Sequence, residues 1–292
     1  MADTVWNPVV WLANRTLSAG NHLVSITDAV RTDGGKFEQA LPKIRDLEME
    51  DIQKALEQGL NDFTHCRSDV MGLAILYPMI GLFLVWSAFD RNVLPLLFPI
   101  MSGFALIGPV AASGLYEMSR QRELGREVSW RDAFGVVRSP SFGAIFVLGL
   151  FLFLLFFLWM IVAHGVYSMT LGPEAPESLA AFIMDTLTTG AGWTMTIVGM
   201  GAGAIFAGIV LAISVVSFPL LLDRNVGVSA AVVTSIRVTM RNPRPILAWG
   251  FTVAALLAIG SIPAFLGLIV ILPVLGHATW HLYRAAIVPE GG

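Results

Sequence analysis

Charge is what this sequence lacks most. Asp, Glu, Lys and Arg make up 13% of its 292 residues, about half the roughly 25% of an ordinary soluble domain. The deficit excludes a chain that covers its whole surface with charge. Cysteine is nearly absent, since Cys66 stands alone, and this excludes an internal disulfide and a Cys-rich zinc framework. A continuous apolar opening run is missing as well, because Asn7, Asn14, Arg15 and His22 interrupt it. No secretory signal peptide is therefore expected. The formal charge of −3 is uninformative by itself, and no nucleic-acid partner is expected.

What is present is apolar. Hydrophobic residues account for 55% of the chain, gathered between charged blocks into runs of 20 to 39 residues free of Asp, Glu, Lys and Arg, long enough to cross a bilayer. These runs predict spans at about 70–89 and 93–116, meeting at the turn Asp90-Arg91-Asn92, then 141–168 and 191–222. A loop with Gly172, Pro173 and Pro176 separates the third span from the fourth. The last run, 245–283, would measure roughly 58 Å as one helix, against a hydrocarbon core of about 30 Å. It must fold back at Ser261-Ile262-Pro263, giving spans 245–260 and 264–284. The expected architecture is all-α and polytopic, with six transmembrane helices in three helical hairpins spanning residues 42–287. Residues 1–41 form an N-terminal extension and 288–292 a tail.

Of the 18 Lys and Arg residues, all but Arg91 fall on one side of a six-span arrangement. The positive side normally stays in the cytoplasm, so both termini are expected there, in a bacterial inner membrane. An odd number of spans would spoil this segregation.

Three short patterns recur in order. "CRSDVMG" (66–72), "VRSPSFG" (137–143) and "MRNPRPI" (240–246) open the odd spans, and "LYE" (115–117), "LLD" (221–223) and "LYR" (282–284) close the even ones. Ahead of each opening lies a surface segment with helical spacing of apolar residues: Ile52, Leu56, Leu60 and Phe63, then Trp130, Ala133, Phe134 and Val137, then Val233, Ile236 and Met240. Ser129 and Asp132 make a capping-box-like start to the second. The pattern predicts a tandem triplication of surface helix, Arg-x-[Asp/Pro] and helical hairpin. Arg67, Arg138 and Arg241 would then end interfacial helices at headgroup level, within reach of lipid phosphates.

The span centres hold no ionisable residue of the kind that transporters use to bind ions or relay protons. Their polar residues, Ser102, Ser113, Thr194, Thr196, Ser214, Ser217, Thr252 and Ser261, can all bond their own helix backbone. The fourth span carries "GMGAGAIFAG", whose Gly199 and Gly203 have the small-xxx-small spacing of close helix packing. In the extension, Trp6 and Trp11 fit a segment that lies on the membrane or docks on a partner.

His277 and His281, in "GHATWHLYRAA", sit one helical turn apart and share a face. A metal site would need further ligands, and only His65, Cys66 and Glu117 suggest themselves. Their neighbours Trp280, Tyr283 and Arg284 read as an interfacial belt, so the pair is expected to serve anchoring or packing. No metal and no cofactor is expected.

"IQKALEQGLNDFTHCRSDVMGLAI", "LYEMSRQRELGREVSWRDAF" and "GHATWHLYRAAI" together resemble a family of six-span bacterial integral membrane proteins with no assigned function, over residues 42–287. Members are sometimes labelled as similar to the first subunit of cytochrome c oxidase. That activity does not fit this sequence, which lacks the additional spans and the deep histidine ligands of a haem-copper core. The expected role is a non-catalytic accessory or structural subunit. It would contact membrane lipids and other integral membrane subunits of a larger, respiratory complex. A small-solute or lipid transporter or channel is the alternative, with the proline-containing even spans lining a path. An enzyme ranks third, because no nucleophile, acid-base pair or metal cluster can be assembled.

Overall fold

The computed structural model describes residues 41–66, 74–90, 94–106 and 108–289. Among them the secondary structure is helical with no strand, and Ile44 pairs with Ile287 in an isolated antiparallel bridge. Helix α1, Met49–His65, starts with a reciprocal capping box between Glu48 and Asp51. Helix α2 covers Leu76–Asp90. The next apolar run carries α3 (Leu97–Leu106), α4 (Gly108–Ala111) and α5 (Ser113–Glu123).

The capping box read at Ser129 and Asp132 is present, but it starts a 3-10 turn, Trp130–Phe134, followed by the short α6, Gly135–Arg138. Helix α7 runs without interruption through Phe142–Thr170. Helix α8, Leu179–Thr188, fills part of what the sequence suggested was loop, because Ser178 caps it by accepting from the Ala181 N–H at 3.1 Å. Helix α9 (Gly190–Ser214) continues as α10 (Ser217–Asp223) past a break at Val215 and Val216. Helices α11 (Val228–Arg241) and α12 (Pro243–Ser261) meet at Asn242. The chain then turns between α12 and the last helix. Ala264 and Phe265 adopt positive φ, and the backbones of Gly260 and Gly267 touch, leaving no room for a Cβ on either. Helix α13, Leu268–Ala286, closes the chain.

Among the described residues three stretches are long and apolar enough to cross a membrane: Phe142–Thr170, Gly190–Asp223 and Pro243–Ser261. They correspond to the third, fourth and fifth expected spans. The first begins in residues outside those described and continues as the 15-residue α2. The second is divided among α3, α4 and α5, and the sixth is carried by α13, whose C-terminal half is polar.

The buried core lies at the charged end of the molecule. Helix α13 makes its most extensive packing with α1, and Arg45 N–H donates to the Ala286 carbonyl at 2.8 Å. Around them Phe218, Leu220, Leu221, Ile246, Trp249, Leu282 and Tyr283 are fully or almost fully enclosed. Farther along α7, α9 and α12, bulky side chains such as Leu154, Ile161, Ile205 and Phe251 point outward.

The surface segments follow their apolar spacing only in part. Helix α1 buries Ile52, Ala55, Gly59, Asp62 and Phe63 and leaves Leu60 exposed. Trp130, Phe134 and Val137 are exposed, and α11 buries Ala230, Ala231, Thr234, Ser235 and Val238 while Met240 faces out. Close backbone approach favours small residues at the contact, so the bulky ones turn away.

Candidate functional site

Two close approaches place the C-terminal half of α13. A Cβ on Gly59 would fall 2.6 Å from Ala278 backbone nitrogen, and a Cβ on Gly276 would fall 2.4 Å from Leu115 Cδ1. Helices α1 and α5 therefore press on the same part of α13, which brings an acid and a hydroxyl against the two histidines. His281 Nε2 lies 2.8 Å from Asp62 Oδ2, and Ser119 Oγ lies 2.6 Å from the same oxygen. His277 Nδ1 is 2.8 Å from Ser119 Oγ. Arg122 completes the cluster, donating to Asp62 Oδ1 at 2.5 Å and to Asn61 Oδ1 at 3.1 Å.

Burial by itself would raise the Asp62 pKa, but the hydrogen bonds from His281 and Ser119 outweigh it and hold the carboxyl below its ordinary 3.8. With Asp62 ionised, the proton positions follow. Ser119 donates to the carboxylate, so its oxygen accepts from His277 Nδ1–H, and His281 donates through Nε2. His277 Nε2 is then left without a hydrogen bond of normal geometry, in a pocket closed by the chain. Ser119 and His277 are 1% and 0% exposed. This is a hydrogen-bonded lock in which one buried ring nitrogen, His277 Nε2, stays unpaired, with no approach for a substrate to Ser119.

A second set of contacts extends the polar layer. Trp280 Nε1–H donates to Glu123 at 3.0 Å, Arg284 pairs with Glu123 at 2.7 Å, and Tyr283 O–H donates to Asp223 at 2.5 Å. Glu117 is held by Arg120 at 2.9 Å and by Gln121.

The two histidines share a face, as their spacing predicts, but their partners are not the expected ones. His65 bonds back to the Asn61 carbonyl at 2.8 Å, Cys66 packs with Phe63, Leu115 and Met118, and Glu117 belongs to Arg120. Among the described residues no group of three or more His, Cys, Asp and Glu is arranged to hold a metal. Trp280 and Tyr283 form no exposed belt. Both are 0% exposed, so Trp280 and His277 offer no contact to lipid or partner, while His281 keeps a small exposed edge.

Asp62 and Ser119 were missed by sequence reading. The available signal was an acid on the apolar face of α1, three residues after Gly59 and beside Phe63.

Arg138 is exposed, whereas Arg241 makes a two-pronged pair with Asp46 at 2.6 and 2.8 Å. Gly203 faces Trp159 of α7 and Gly199 faces Val166 of the same helix, so both serve contacts inside the chain. Trp6, Trp11 and Arg67 lie outside the described residues. Six of the eight span hydroxyls bond their own helix, for example Thr252 to the Ala248 carbonyl at 2.8 Å and Ser261 to the Leu257 carbonyl at 2.8 Å, whereas Ser113 donates to the Pro109 carbonyl of α4 and Ser217 to the Ile213 carbonyl of α9 and, at 3.1 Å, to the Ala231 carbonyl of α11.

Residues 97–223 match a family described as predicted integral membrane protein (DUF2189). With its long apolar helices, this chain is an integral membrane protein. No curated protein and no solved structure matches it. The matched region runs from α3 through α10, so it includes Ser119 and Arg122 and stops short of His277 and His281.

Proposed function

We propose that this integral membrane protein is a non-catalytic accessory subunit that packs on a larger membrane complex in a bacterial inner membrane. The observation that carries the reading is the outer face of α9. Thr194, Ile197, Gly201, Ala204 and Gly208 are exposed along it, and a Cβ on Gly201 or Gly208 would meet nothing within 4 Å. Small residues at this spacing suit close approach of another helix in lipid, and among the described residues nothing lies within 4 Å of a Cβ placed on Gly201 or Gly208. The enclosed Ser119 and His277 argue against an enzyme.

Six spans with both termini cytoplasmic remain the best account of the charge segregation. The triplication draws support from the span endings. Helices α5, α10 and α13 contact one another in every pairing. Asp223 joins Arg284 at 3.4 Å and acts electrostatically on Arg120, which holds Glu117. The three recurring endings thus meet at one place.

Native purification in mild detergent tests the reading. Stoichiometric co-migration with other membrane proteins is expected, and a lone monomer at every detergent level would overturn it. A second reading, lipid handling, is favoured by an apolar crevice of about 160 Å³ between α3, α7 and α9, lined by Phe98, Leu106, Trp159, Gly203 and Ala207. Lipid scrambling by proteoliposomes would establish that reading instead.

A further inference from the structure

We propose that the junction of α11 and α12 is a binding site for an anionic phospholipid, with Arg237, Arg241 and Arg244 around the phosphate and one face of α12 along an acyl chain. A surface crevice of about 480 Å³ opens there, lined by Pro42, Ile44, Arg237, Met240 and Arg241. Arg237 and Arg241 lie one turn apart at the end of α11, and Arg244 lies in the first turn of α12. Asn242 fixes the junction, because its side chain accepts from the Leu47 N–H at 2.7 Å and donates to the Arg45 carbonyl at 3.1 Å. That contact holds the segment bearing Lys43 and Arg45 beside the crevice.

Arg237 and Arg241 line the crevice, and Lys43, Arg45 and Arg244, also exposed, lie within three residues of residues that line it. The neighbouring acids are already engaged: Asp46 pairs with Arg241, Glu48 and Asp51 cap α1, and Glu50 pairs with Lys54 at 3.0 Å. Among the described residues Arg237 and Arg244 make no ion pair. Guanidinium groups bind phosphate through paired hydrogen bonds, and these two have theirs available.

The choice of a lipid over a free phosphate rests on the adjoining surface. Met240, Leu247 and Phe251 are 75%, 66% and 75% exposed, and residues 244, 247 and 251 follow one another along a single face of α12. Helix α12 is one of the three long apolar helices, so Arg244 sits at its charged end with the apolar side chains continuing roughly 10 Å into the hydrocarbon. Basic pockets at the ends of membrane helices are suited to anionic headgroups. Arg241 had drawn attention from the sequence, but its pairing with Asp46 shifts the main role to Arg237 and Arg244.

The test uses the full chain in mild detergent with phosphatidylcholine, titrated with phosphatidylglycerol and followed by native mass spectrometry. Selective retention of phosphatidylglycerol is expected, with a loss of apparent affinity on the order of tenfold or more in the double variant Arg237→Gln/Arg244→Gln. Arg138→Gln, on another exposed arginine, should retain the lipid, and an unchanged melting temperature would show that the double variant is folded. Equal retention of both lipids, or an unaffected double variant, would overturn the proposal. Displacement of the lipid by inorganic phosphate at matched concentration would overturn the lipid assignment in favour of a free-phosphate site.

Discussion

The charged end and the opposite end of the helices are held together by different means. At the charged end, side chains bond across helices: Asp62 of α1 to Ser119 of α5 and His281 of α13, and Tyr283 of α13 to Asp223 of α10. In the long apolar helices, hydroxyls turn back on their own backbone, as Thr194 does to Gly190 and Thr252 to Ala248. Trp159 Nε1–H, donating to the Pro99 carbonyl at 3.0 Å, is an exception there. Cross-helix hydrogen bonds therefore specify the packing at one end, and shape specifies it at the other. The first should tolerate substitution poorly and the second well.

The largest effect is expected at Asp62. Asp62→Ala leaves Arg122, His281 and Ser119 without their common acceptor, and breaking a buried charge pair from one side costs about 3–5 kcal/mol. Chemical denaturation in detergent should show that loss, together with protease access to α1. Next comes Gly59→Ala. Helix propensity favours the change by roughly 1 kcal/mol, but the new Cβ meets the Ala278 backbone rather than a movable side-chain tip. Overpacking of about 1–3 kcal/mol should win, giving a net loss of up to about 2 kcal/mol in the same assay. Ser119→Ala removes the link between Asp62 and His277 and should cost about 1 kcal/mol. An Asp62→Ala/Ser119→Ala double variant should lose less than the sum, because both changes break one network.

Acid should act on the same end. The folded-state pKa of Asp62 lies below the ordinary 3.8, so the ionised carboxylate stabilises the fold at every pH above that value. The contribution is lost as pH falls from 3.8 through the lower folded value. Amide exchange in α1 should accordingly be insensitive to Asp62 titration between pH 7 and about 5 and should accelerate below about 4, whereas Asp62→Ala should remove that acid step.

The helical class and three long apolar stretches were legible because composition and run length report directly on what crosses lipid. The reversal near Pro263 was legible because a single helix there would be too long for a bilayer. Packing faces were legible only in part. Apolar spacing selects Ile52 and Phe63, which are buried, but also Leu60, Trp130 and Met240, which are exposed, while contact is also made by Gly59, Ala231 and Ser235. Amphipathic spacing points inward only when water is the surrounding solvent. For the cluster, residue type and spacing placed His277 and His281 on one face, but their partners lie in α1 and α5. No local pattern encodes the tertiary contact that brings these helices together. Helix α8 was hidden because it is too short to span and lies next to a loop rich in proline.

The smallest effect is expected on the open face of α9, and its smallness makes it decisive. Gly208 has space for a side chain within the described residues, so Gly208→Leu should leave the unfolding free energy of the isolated protein within about 0.5 kcal/mol of the parent, with replacement of a helix glycine tending to stabilise. If α9 docks against another membrane subunit, the same leucine would occupy the space into which the partner backbone fits. Co-purification should then fall while stability is retained. Loss of stability in the isolated chain would mean that the far end is packed within the chain as tightly as the charged end. Retained stability with unchanged co-purification would move the partner surface away from α9.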